Sequence, residues 1–285
     1  MPSSRSLANL IRCVITGFLL VLSPASSSFA SSFNCLIEPV QTVELASPVV
    51  GLLVKVLVKR ADRISKGQVL AALESRAEAA AAELARFKSE QIGPTRMAES
   101  KIEFAKRKFN RRQVMANEKL MSAQDSDDAE AELRLAESEL KVATENRQIA
   151  RLEHQQQSSL LNLRTISSPF DGVVVDQMAY PGEVVEPGAA KKAVLKVAQL
   201  DPLRVHVVLP KDVFSKIALG MAVEVVPEIP ANGHYTAKVK SVDRMIDAAS
   251  GTFVVLLEMP NSKLEIPSGV KCKANFPGIA GGAGK

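Results

Sequence analysis

The chain has 285 residues, 46% of them hydrophobic, and a net charge of +5, enough to bury a core in one large or several small domains. It has no tryptophan, two tyrosines and 4% aromatic residues, too little stacking surface for a single-stranded nucleic-acid binder. Nucleic acid is not expected as a partner.

Residues 1–30 read as a cleaved signal peptide. Arg5 and Arg12 give a basic start, Val14 to Leu22 a short apolar run, and Ser28-Phe29-Ala30 ends on a small residue suited to cleavage. The run is shorter than the ~20 residues that cross a bilayer. Its removal takes two arginines and no acids, lowering the net charge from +5 to +3, too little to imply an acidic partner. Cys13 leaves with it. Cys35 and Cys272 remain in a disulfide-permitting compartment and are the candidate disulfide. Ser32-Phe33-Asn34 before Cys35 does not resemble a lipoprotein signal.

Ser47-Pro48-Val49-Val50-Gly51 returns 121 positions later as Ser168-Pro169-Phe170-Asp171-Gly172. At the same offset Val54 matches Val175, Asp62 Glu183, Ile64 Val185 and Gly67 Gly188. Proline can open a strand, Gly51 and Gly172 permit a bend or bulge, and Lys66-Gly67 and Pro187-Gly188 supply turns. Neither copy can bury a core alone, so the two are predicted to pack face to face. Residues 31–74 then hold an N-terminal segment and the first half of this domain, and 164–200 the second half.

Between the copies, residues 75–163 are rich in Ala, Glu, Lys, Arg, Leu and Gln, strong helix formers. Ala129, Leu133, Ala136, Leu140, Ala143 and Ala150 form a heptad seam, with Arg147, His154 and Gln157 weakening it toward the domain. Ala98, Ile102, Ala105, Phe109 and Ala116 make the opposing stripe. Gly93-Pro94 predicts a kink or a break, and the chain reverses near Leu120 to Asp128, where Ser122, Asp125 and Ser126 suit a helix start. Residues 201–277 alternate as about five strands around one short helix, a small β-barrel, and 278–285 are a Gly-rich tail.

The paired motifs resemble the two halves of a biotinyl/lipoyl-type domain. Split by a helical insertion, they are similar to the periplasmic adaptor (membrane fusion protein) family of tripartite efflux pumps and type I secretion systems, of the haemolysin-secretion kind. Asp201-Pro202-Leu203, Leu219-Gly220-Met221, Val242 to Asp247, Ser250-Gly251-Thr252 and Ile266 to Val270 resemble the adaptor β-barrel. The resemblance implies an elongated α+β fold: a split lipoyl-like (barrel-sandwich hybrid) domain, an antiparallel coiled-coil hairpin and a β-barrel. It also implies a periplasmic protein peripheral to the inner membrane. Its partners would be a proton-driven or ATP-driven inner-membrane transporter, an outer-membrane channel, and further copies in rings of about six.

In the family the hairpin tip carries an Arg, a Leu one turn on and a Ser beyond, which dock against the channel. Arg111, Met115 and Ser122 keep that spacing, with Met conserving volume. Read from the residues alone, Ser122 is equally a helix cap and Arg111 a solvated charge. Many adaptors add a membrane-proximal domain from the N-terminal strand and a long C-terminal tail; here Gly278 to Lys285 follow the barrel, and the resemblance leaves open how the pump is contacted.

The alternative is a biotinyl/lipoyl-type carrier or small-ligand-binding protein. Carriers hold a modifiable lysine on the hairpin joining the halves, where this chain reads Leu73-Glu74-Ser75-Arg76-Ala77. A guanidinium is not acylated by that chemistry. His154, His206 and His234 lack metal-ligand spacing, Asp125, Asp127 and Asp128 lack the rest of a calcium loop, and no phosphate loop or nucleophile elbow is present. No catalysis, cofactor or metal is expected.

Overall fold

A computed structural model describes residues 32–188, 193–231 and 233–279; the signal-peptide reading and residues 280–285 of the tail lie outside them. In chain order these residues form β1 (Ser32–Leu45), β2 (Gly51–Val56), β3 (Arg63–Ile64), β4 (Val69–Leu73), α1 (Arg76–Glu90), α2 (Gly93–Asn117) and α3 (Ala123–Asn162). β5 (Thr165–Ser167), β6 (Gly172–Gln177), β7 (Val184–Val185), β8 (Leu195–Pro210), a 3-10 helix (Lys211–Lys216), β9 (Ala222–Pro227), β10 (Tyr235–Val242), β11 (Thr252–Met259) and β12 (Val270–Asn275) follow.

The repeated motifs close on each other. β2 pairs with β7 through Gly51 opposite Val185 and Leu52 opposite Val184, while β3 pairs with β6 through Ile64 opposite Gly172 and Arg63 opposite Val173. Shifting either set of pairs by the repeat offset gives the other, so the halves exchange strands about an internal two-fold. The backbone repeats the exchange: Leu53 donates to Glu183 at 2.9 Å, and Val174 to Asp62 at 3.0 Å. Ser47 Oγ donates to the Val49 carbonyl at 2.5 Å and Ser168 Oγ to the Phe170 carbonyl at 2.6 Å, the same local turn in both copies. One interior results, with Leu53, Ile64, Leu70 and Leu73 from the first half meeting Ile166, Phe170, Val174 and Val185 from the second. Each half supplies only part of that shared interior, so neither has a complete core of its own.

The five strands expected after Leu200 are present, and β1 closes the barrel as a sixth. The order is β1-β12-β9-β10-β11-β8, with β8 pairing back to β1. Alternate residues point inward, as the two-residue period of a strand requires: Phe33, Cys35 and Ile37 from β1, Leu203 to Leu209 at odd positions of β8, and Phe253 to Met259 at odd positions of β11. Cys35 lies opposite Cys272 in the β1–β12 register, and the two sulfurs are bonded, with Cα atoms 4.8 Å apart. β1 and β8 pair through both β bodies, from Cys35–Val207 to Leu45–Leu195, with a register shift between Pro39 and Gln41.

The inserted hairpin has one unbroken arm and one broken arm. α3, at 40 residues, extends about 60 Å. Against it, α1 ends at Glu90, Gln91 turns extended, and α2 restarts at Gly93 with Pro94 in its first turn, where a missing N–H costs nothing. The predicted break is there. The buried seam is made of small residues, Ala82, Ala85, Ser89, Ala98 and Ala105 against Ala129 and Ala136, and Lys101–Glu139 (2.7 Å) and Lys108–Glu132 (2.6 Å) bridge one flank. Arg147, His154 and Gln157 occupy half-buried seam positions toward the hairpin root.

Candidate functional site

The hairpin tip is built by the end of α2 and the start of α3. Lys119, at φ 60°, ends α2: its N–H donates to Ala116 and that of Leu120 to Met115, at 3.0 and 2.9 Å, the usual closure for orphan carbonyls. Ser122 is the N-cap of α3. Its Oγ accepts from the Asp125 N–H at 3.2 Å and lies 2.6 Å from Asp125 Oδ2. Arg112 turns inward and donates to the Asp125 carbonyl at 3.1 Å, locking the two helix ends.

Arg111 and Met115 stand one turn apart and exposed, and Arg111 has no partner among the described residues. The exposed Ser122 begins the facing helix. Beside them are Val114 and Leu120, the latter 69% exposed. Sequence reading passed over both; an apolar residue inside a polar turn was the available signal. The tip therefore offers a charge, a thioether and two apolar knobs on a rigid two-helix end.

At the hairpin root the chain leaves β4 through Glu74, Ser75 and Arg76. Arg76 Nε pairs with Glu74 at 2.8 Å, which holds the Glu74 carboxyl below its ordinary range. On the returning strand Arg164 pairs with Glu78 and donates to the Val50 carbonyl at 2.9 Å, with both charged side chains largely covered. The turn glycines divide by role. Gly67 and Gly188 have φ of +80° and +124°, whereas Gly172 is needed for space, since a Cβ there would lie 2.3 Å from the Ala198 carbonyl oxygen. Gly51 packs against Arg164 and Leu73. Among the described residues no His, Cys, Asp and Glu side chains gather as a metal-binding group, and no helix is long and apolar enough to cross a membrane.

This arrangement, two β-halves exchanged around a projecting helical pair, matches a known model: residues 41–199 fit the CzcB-like, barrel-sandwich hybrid domain. The chain belongs to this family. The membrane fusion protein resemblance carried by the Ser-Pro-x-x-Gly motifs stands with it. Over 233 residues the chain is 26% identical to "Multidrug resistance protein MdtA" of Photorhabdus laumondii subsp. laumondii, covering 80% of this chain and 55% of MdtA. It thus spans about half the length of that curated relative. The crystal structure of MacA from Actinobacillus actinomycetemcomitans shares the fold at TM-score 0.66 and 22% identity, over 86% of this chain and 77% of MacA. The membrane fusion protein Spr0693 from Streptococcus pneumoniae R6 does so at TM-score 0.58 and 14% identity, over 88% of this chain and all of that one (100%).

Proposed function

We propose that this protein is a non-catalytic periplasmic adaptor that joins an inner-membrane transporter to an outer-membrane channel in a tripartite efflux or export system. It acts by assembling with further copies in a ring of about six. The observation that carries the reading is the closed, two-fold lipoyl-like domain with its 40-residue helix projecting as half of a hairpin. Such a shape supplies reach and attachment surfaces in place of a reaction centre. Export by the signal peptide at residues 1–30 places it in the periplasm, and kinship with a multidrug resistance protein favours small-molecule efflux. The hairpin-tip residues Arg111, Met115 and Ser122 meet the channel, and the two β bodies meet neighbouring protomers and the transporter.

The test is co-purification from cell envelopes after mild cross-linking. An outer-membrane channel and an inner-membrane transporter are expected with the wild-type chain, and the channel alone is lost from the Arg111→Glu/Met115→Glu double variant. Recovery of neither membrane partner overturns the reading.

A further inference from the structure

One cation in the hairpin seam is left without a role. The Lys101–Glu139 and Lys108–Glu132 pairs share a register; carried eight residues further along each helix, it sets Arg147 of α3 across from Gly93, at the gap between α1 and α2. Arg147 is half-buried, its Nε is cut off from solvent, and it has no hydrogen-bond or ion-pair partner among the described residues. A buried guanidinium N–H with no acceptor costs free energy, and an anion reaching the rest of the half-buried group would supply one.

Arg147 lines a cleft of about 740 Å³, within the roughly 300–1,000 Å³ typical of small-molecule sites. The cleft follows from the sequence: the interruption at Gln91-Ile92 takes helical side chains out of the seam, and Ala98, Ala143 and Ala150 are too small to refill it. Its apolar wall is Met97, Leu135 and Val142, each more than half exposed. On its rim Lys101 is answered by Glu139, whereas Lys88 has no ion-pair partner among the described residues. An uncompensated positive end thus adjoins an uncovered hydrocarbon surface.

We propose that this cleft binds a small anionic amphiphile. Its carboxylate or sulfonate accepts hydrogen bonds from the Arg147 guanidinium, with Lys88 adding charge at the mouth, and its hydrocarbon body covers Met97, Leu135 and Val142. The anion is called for by Arg147, and the apolar body by the wall beside it. The site lies in the helical pair, far along α3 from the tip residues proposed to meet the channel.

Calorimetric titration of the chain from Ser31 onward with dodecanoate below its micelle concentration tests this, with dodecyltrimethylammonium as the same tail bearing the opposite charge. Saturable one-to-one binding of dodecanoate is expected, at least tenfold tighter than the cationic analogue. Arg147→Gln should weaken it at least tenfold, Arg147→Lys by less than Arg147→Gln, and Ala143→Trp, which fills the cleft, should abolish it, with helicity of each variant checked by circular dichroism. Absence of saturable binding, or equal affinity in wild type and Arg147→Gln, overturns the proposal. So does a result in which Arg147→Gln reduces self-association in sedimentation and leaves dodecanoate binding unchanged, since the acceptor is then an acidic side chain of a second copy.

Discussion

Ala61 and Gly182 occupy equivalent places in the two halves: both have positive φ, 71° and 95°, and each donates its N–H across the two-fold. Ala61 donates to Val174 at 2.9 Å and Gly182 to Leu53 at 2.8 Å. Only one half has the residue that this backbone favours. Because an L side chain in the left-handed region costs roughly 1–2 kcal/mol, Ala61→Gly is expected to raise stability to urea by about 1 kcal/mol once its extra unfolded-state freedom is set against the relief. Gly182→Ala should lower it by a similar amount.

Gly172 and Gly93 make a contrasting pair. A Cβ on Gly172 meets the Ala198 carbonyl at 2.3 Å, while one on Gly93 meets nothing within 4 Å. Gly172→Ala must push β6 from β8 and should cost about 1–3 kcal/mol, as overpacking does. Gly93→Ala should be neutral or stabilising by up to about 1 kcal/mol. Parallel thermal melts distinguish the two.

The Cys35–Cys272 bond closes a sequence separation of 237 residues and joins the first strand of the barrel to its last. Reduction, or the Cys35→Ala/Cys272→Ala double variant, is expected to cost about 2–4 kcal/mol. Denaturation with and without reductant measures it, and the double variant should show no response to reductant.

Arg164 ties the returning helix to both Glu78 of α1 and the backbone ahead of β2. Charge-assisted hydrogen bonds with little solvent contribute about 1.5–3 kcal/mol. Arg164→Ala should therefore speed amide exchange in the first turns of α1 and the last turns of α3, and leave exchange in the barrel strands unchanged.

Glu224 accepts from Asn275 at 2.9 Å and sits 2.8 Å from His234 Nδ1. The Asn275 hydrogen bond first, and His234 second, hold its carboxyl below the ordinary value of 4.5. A depressed carboxylate stabilises the fold above its unfolded pKa and stops doing so as pH falls through the folded one. Glu224→Gln should therefore lower stability near pH 6 and narrow the difference from wild type below about pH 4.5, in melts taken across that range.

The split domain was legible because its motif has one physical meaning in both copies. The serine of each Ser-Pro turns its hydroxyl onto the carbonyl two residues on, and identical local bonds need identical residues. The helix break was legible for a comparable reason, since Pro94 is accommodated without cost in a first turn and disrupts a helix beyond it. The closing strand β1 was not. Its alternation of Phe33, Cys35 and Ile37 is short, and its partners β12 and β8 lie far along the chain, so no local signal sets it apart from a linker. Arg147 illustrates the opposite limit: its place in the heptad can be counted, but its lack of an acceptor depends on where every neighbour ends up.

The pairing of β1 with β8 runs through both β bodies but is interrupted where Val40 faces Leu200 to Pro202, and this has a mechanical consequence. Sandwich and barrel share the same two girders, so twisting one against the other is taken up at the irregular stretch between their two ladders. The helices, in contrast, are carried on two short connections, Glu74-Ser75 and Leu163-Arg164, braced by the Arg164–Glu78 pair. Any sideways load at the far end of so long a lever passes into the β portion through that narrow joint.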